Sequence, residues 1–135
     1  MSWTVMKFGG SSLATAERVE RAARLVIAQP GRVAVVVSAQ GKTTDRLLSC
    51  LDHAVAGRIE TAQAIVDTLP AAPGSESLLE GLRRILLGVS LLKEVSPATS
   101  DLTLSHGERL SALAVAAAIT AAGTKARAVD ARALI

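Results

Sequence analysis

Lys7 stands just ahead of Gly9-Gly10-Ser11-Ser12 in this chain of 135 residues. A lysine is a mobile point charge suited to phosphate. Two glycines let a ligand come close to the backbone and can take positive φ. The amides that follow, and the helix start beyond them, form a ready anion site. Ser11 and Ser12 add hydroxyl donors and can cap that helix. Taken alone, the tetrapeptide also reads as an ordinary strand-to-helix turn. A second polar segment, Ser38-Ala39-Gln40-Gly41-Lys42-Thr43-Thr44-Asp45, follows an apolar run and leads into a helix, with Thr44 and Asp45 as N-cap candidates. A third, Leu104-Ser105-His106-Gly107-Glu108-Arg109-Leu110-Ser111, places a carboxylate beside a glycine. The stretch after it, to Ala122, is small and apolar all round, which predicts a buried helix with Glu108 near its beginning. A carboxylate there needs a partner. Arg109, Lys7 or an ammonium ligand would each serve.

The elements that must position these groups follow from the hydrophobic pattern. Thr4 to Phe8 reads as a first strand. A helix from about Thr15 to Gln29 carries Val19, Ala22, Ala23, Val26 and Ile27 on one stripe, and Pro30-Gly31 stops it. Arg32 to Ser38 is a continuous β-branched run, which predicts a strand covered on both faces of a parallel sheet. In open α/β sheets, ligands bind outside the carboxyl ends of the strands. The loops after Phe8 and after Val37 would then face one crevice. A second helix runs to about Ala56, with Leu47, Leu48, Leu51 and Val55 inward and Gly57 at its end. A third covers Glu60 to Leu69, and Pro70 to Ser75 forms a loop. A fourth covers Ser77 to Val95, with Leu78, Leu82, Ile85, Val89 and Leu92 on one core-facing side, and Ser96-Pro97 breaks it. Lys125 to Asp130 reads as a third strand with Asp130-Ala131-Arg132 at its end.

Composition narrows the function classes. Half the residues are hydrophobic, and Trp3 and Phe8 are the only aromatic residues. The core is therefore built of Ala, Val, Leu and Ile, and stacking platforms for single-stranded nucleic acid are excluded. The net charge of +3 is spread over single basic residues apart from Arg83-Arg84. That describes a solvated surface, with no nucleic-acid stripe. The single cysteine, Cys50, rules out an internal disulfide or a cysteine metal cluster, and its apolar helical setting reads as a buried thiol. His53 and His106 read as surface residues or as outer neighbours of a site; no ligand cluster surrounds either, so no metal is expected. Without a leader pattern or a membrane-length apolar run, a cytoplasmic protein that touches no membrane is expected.

Lys7-Phe8-Gly9-Gly10-Ser11-Ser12, the Ser38-to-Asp45 loop and the Leu104-to-Ser111 segment together resemble the N-terminal part of aspartate kinases, within the amino-acid kinase superfamily. Their order and spacing, and Val129-Asp130-Ala131-Arg132, are similar to that family's. The resemblance implies an α/β fold, a three-layer α/β/α sandwich around a mainly parallel sheet. It implies transfer of the γ-phosphoryl group of Mg-ATP to the side chain of L-aspartate. It further implies Lys7 as the catalytic charge, Gly9, Gly10 and Ser11 as phosphate-binding, and Ser38, Thr44 and Glu108 as amino-acid-binding, with Glu108 on the α-ammonium. Family members carry a nucleotide-holding half after this region. We therefore expect residues 1–135 to be the amino-acid-binding portion, inactive alone, and to self-associate or to pair with a complementary chain.

Overall fold

The computed structural model describes residues 2–135. Strand β1 (Trp3–Phe8) and strand β2 (Arg32–Val37) pair in parallel, in register from Trp3 with Arg32 to Phe8 with Val37. Helix α1 (Ala16–Ile27) joins them. Thr15 starts that helix, its hydroxyl accepting the Arg18 amide at 3.2 Å, one of the orphan donors every helix start must satisfy. The expected stripe is buried: Val19, Ala22, Ala23 and Val26 pack with Phe8, Val115 and Ile119.

Helices α2 (Thr43–Val55), α3 (Ile59–Val66) and α4 (Glu76–Leu92) build a second core. It centres on Leu47, Leu51, Val66, Leu82 and Leu86, with Cys50 inside it. Helix α5 (Pro97–Ala121) is the seam between the two cores. Its Leu110 belongs to the helical core, and Val115 and Ile119 to the core under the sheet.

Several expectations change. Leu48 and Leu92, expected inward, are 43% and 72% exposed. Helix α5 starts far ahead of Glu108. Ser96 is its N-cap, accepting the Thr99 amide at 3.1 Å, and Pro97 takes the first helical turn, where a missing N–H costs nothing. Ser96-Pro97 is thus a start signal; what ends α4 is Lys93, in the left-handed conformation at φ 56°. The expected third strand, Lys125 to Asp130, is not a strand. It is irregular and passes into a 3-10 turn at Ala131–Ala133. Residues 125–127 are exposed and alternate a cation with alanine, which gives a ladder little to pack. Finally, β2 is not covered on both faces by these residues. Met6, Phe8, Val33, Val35 and Val37 face α1 and α5, while Val5 and Val36 remain 68% and 51% exposed on the other side.

Candidate active site

Because Phe8 and Val37 are paired in parallel, the chain leaves both strands at the same edge. The Ser38 amide extends the ladder by donating to the Phe8 carbonyl at 3.1 Å. The two loops then lock together. The Gly41 amide donates to the Gly10 carbonyl at 3.0 Å, with Gly41 at φ +52°, and Gln40 Nε2 donates to the Leu13 carbonyl at 3.1 Å. Gly10 lies so close that a Cβ there would sit 2.6 Å from the Ala39 carbonyl oxygen. On the opposite side of Ala39, a Cβ on Gly107 would sit 2.8 Å from the Ala39 methyl. One buried alanine therefore joins all three segments that sequence reading singled out: Gly9-Gly10, the loop after β2, and the Gly107-Glu108 turn of α5.

Around this junction the polar groups face outward. Lys7 shares the exposed side of β1 with Trp3 and Val5. A Cβ at Gly9 would meet nothing within 4 Å, so that backbone borders open space. The amides of Ser12 and Leu13 are used within the turn, bonding the Gly9 and Gly10 carbonyls at 3.1 and 3.2 Å. No loop bond among the described residues engages the amides of Gly9, Gly10 or Ser11. The Ser11 carbonyl accepts Arg18 Nη1 at 2.6 Å, which fixes the turn to α1. Ser38 is half-buried and Thr44 exposed. Thr43, beside it, is buried, and its hydroxyl has no hydrogen-bond partner; neither does Gln40 Oε1.

Several local readings are corrected. Neither Gly9 nor Gly10 has positive φ; Gly10 is helical at φ −60° and is required for close packing instead. Ser11 and Ser12 belong to a 3-10 turn, and Thr15 caps the helix. Thr44 and Asp45 do not cap α2, which begins at Thr43 behind Lys42 with no side-chain cap. Glu108 is not buried. It lies in the middle of α5, exposed, with Gly107 inward beside it. It forms no ion pair among the described residues, because Arg109 reaches Asp130 instead, at 3.4 Å.

That last pairing is part of a cluster that sequence reading left out. Arg132 grips Asp130 with Nε at 3.0 and 3.1 Å and Nη2 at 2.7 Å. The Arg132 hydrogen bonds hold the Asp130 carboxyl down at about 2. His106, read as a surface or outer residue, is buried, and its Nδ1 lies 2.9 Å from the Leu102 carbonyl and 3.1 Å from that of Thr103. Burial first, and the Arg109 and Arg132 charges after it, push its pKa down. The signal available was the i, i+3 placement of His106 and Arg109 on one helix face. Cys50 is buried as expected, its thiol pushed up to about 11 by burial. Among the described residues no group of three or more His, Cys, Asp or Glu could hold a metal ion, and no helix is long and apolar enough to cross a membrane.

Comparison with known proteins gives the family. The sequence model of the Amino acid kinase family matches residues 2–135. Aspartokinase 2, chloroplastic, of Arabidopsis thaliana is 37% identical over 142 residues, covering 94% of this chain and 26% of the relative. The aspartokinase of Mycobacterium bovis is 35% identical over 130 residues, covering 94% of this chain and 22% of its own length. Among solved structures, E. coli aspartokinase III in complex with aspartate and ADP superposes with a TM-score of 0.72 at 25% identity, over 93% of this chain and 30% of that one. Clostridium acetobutylicum aspartate kinase gives a TM-score of 0.64 at 25% identity, over 89% and 30%. The chain thus spans about a quarter of the length of the curated relatives it matches. With the fold, the paired strand-end loops and these matches in agreement, the chain belongs to the amino acid kinase family, and its relatives are aspartokinases.

Proposed function

We propose that residues 1–135 form the amino-acid-binding portion of an aspartate kinase, which transfers the γ-phosphoryl group of Mg-ATP to the side-chain carboxylate of L-aspartate. The observation that carries this reading is the junction at Ala39. It sets Glu108, which forms no ion pair among the described residues, on the helix that packs against Ala39 and Thr43, and Ala39 in turn packs against Gly10. In the reaction a carboxylate oxygen of aspartate attacks the γ-phosphorus, the bond to the β,γ-bridging oxygen breaks, and ADP leaves. Such transfer demands positioning and charge stabilisation more than covalent chemistry. Lys7 supplies positive charge to the transferring group, and the amides of Gly9, Gly10 and Ser11 with the Ser11 hydroxyl donate to phosphate oxygens. Glu108 binds the α-ammonium, and Ser38 and Thr44 donate to the amino acid's oxygens. The described residues offer no metal-binding cluster, so no step is assigned to magnesium.

On this reading the chain binds L-aspartate and does not turn ATP over alone. The exposed Trp3, Val5 and Val36 side of the sheet supports association with a second copy or a complementary chain. Calorimetric titration of the purified chain with L-aspartate, L-glutamate and L-lysine tests the substrate class, beside an assay of aspartate-dependent ADP release. The reading predicts saturable binding of L-aspartate in preference to the other two, and no ADP release. Absence of aspartate binding overturns the amino-acid site. ADP release that disappears in Lys7→Ala overturns the expectation of inactivity and supports the role of Lys7.

A further inference from the structure

Away from the strand-end loops lies a groove of about 470 Å³ between α4, α5 and the irregular segment before Asp130. Its volume falls within the range of small-molecule sites. Leu78, Ile85, Leu102 and Leu113 give it aliphatic walls. Gly81 opens its floor: a Cβ there would meet nothing within 4 Å. The polar lining is concentrated at one end, at His106, Arg109, Asp130 and Arg132.

The charges at that end do not balance. Asp130 is the only carboxylate in the lining, and it is shared by two guanidinium groups. One positive charge is left over, and guanidinium N–H groups beyond those on Asp130 are free to form the paired bonds that carboxylates accept. The histidine adds a constraint of the opposite kind. Its Nδ1 lies against two carbonyl oxygens, which only accept, so Nδ1 must carry the proton. Burial first, and the neighbouring guanidinium charges with it, lower the ring's pKa and so favour the neutral form. Nε2 is then an acceptor and calls for a donor from the ligand. A carboxylate alone cannot satisfy it. An ammonium could, but it would be placed beside two guanidinium groups. A hydroxyl meets the requirement without that repulsion.

We propose that this groove is a binding site for a small aliphatic 2-hydroxy acid. The carboxylate lies on Arg109 and Arg132, the hydroxyl donates to His106 Nε2, and the alkyl tail lies against Leu102 and Leu113. The site requires neither ATP nor aspartate, so its test is independent of the kinase reading.

The test is a ¹⁵N–¹H titration of the whole chain with three probes of one skeleton: 2-hydroxy-4-methylpentanoate, 4-methylpentanoate and L-leucine. Saturable shifts are expected at His106, Arg109, Val129 and Asp130, with the hydroxy acid binding tightest. Loss of its hydroxyl should weaken binding by about fivefold to tenfold, the effect of one neutral hydrogen bond, and leucine should be weaker still. Arg132→Gln, at an exposed position, should weaken the hydroxy acid by about tenfold or more, as expected for a charged hydrogen bond. Gly81→Leu should fill the groove and abolish binding while leaving the melting temperature unchanged or higher, since leucine favours the helix over glycine. The proposal is overturned if the hydroxy acid gives no saturable shift, if the three probes bind alike or leucine binds best, or if either variant retains the wild-type affinity while folded.

Discussion

Gly107 lies against Ala39 so closely that a Cβ on the glycine would stand 2.8 Å from the alanine methyl, with Leu47 Cδ1 at 3.5 Å and Thr43 Cγ2 at 3.7 Å. This contact presses the middle of α5 onto the loop after β2. It fixes where the next residue, Glu108, stands relative to the strand ends. The glycine is there because nothing larger fits.

Gly107→Ala therefore sets two forces against each other. Alanine is the better helix former by about 1 kcal/mol, but overpacking a tight contact costs about 1–3 kcal/mol. We expect overpacking to win, with a net loss of stability in urea unfolding. Ala39→Gly in the same chain should recover part of the loss, because it removes the methyl that is struck. A Gly107→Ala chain as stable as the wild type would show that α5 is free to shift.

Cys50 lies at the centre of the helical core, with its Sγ 3.5 Å from the Ala62 carbonyl and its thiol pushed up to about 11. The thiolate is the reactive form. Alkylation by iodoacetamide at pH 8 should be slow in the native chain and should accelerate with urea in step with unfolding. Rapid labelling without denaturant would mean that α2 and α3 separate readily.

Asp130 should make stability depend on acid. Its folded pKa, about 2, lies below the ordinary aspartate value because Arg132 binds the ionised form. A depressed folded pKa gives stability that is complete above about pH 4 and is lost as the pH falls through the folded value. Asp130→Asn should flatten the melting curve against pH between about 4 and 2 relative to wild type. Identical slopes for the two proteins would show that the Arg132 contact is absent in solution.

The parts legible in the sequence were those set by local pattern. The stripe Val19, Ala22, Ala23, Val26 gave α1, and the run after Arg32 gave β2 and its parallel partner. The three segments that meet at Ala39 were recognisable only together, by their order and spacing, since the glycine-serine turn alone also reads as an ordinary strand-to-helix connection. What was not legible depended on distant packing. The apolar residues after Glu108 suggest a buried helix that begins there. The real start at Ser96-Pro97 places Glu108 mid-helix, on the flank beside an inward Gly107. The segment from Lys125 to Asp130 reads as a strand, yet its end is held by Arg109 of α5, which reaches Asp130. No periodicity reports a contact between residues so far apart in sequence.

Glu108 provides the most direct test of the amino-acid site. It is exposed and forms no ion pair among the described residues, so it does little for the fold. Surface substitutions of that kind change stability by about 0.5 kcal/mol or less. The measurement is the affinity of the chain for L-aspartate, by calorimetric titration, in wild type and in Glu108→Gln, with melting temperatures recorded on the same samples. Losing a charged hydrogen bond to the α-ammonium costs about 1.5–3 kcal/mol, a weakening of about tenfold to a hundredfold. We predict that loss of affinity at an unchanged melting temperature. Equal affinity in the two proteins, or a lowered melting temperature with aspartate binding intact, would contradict the placement of the substrate ammonium at Glu108.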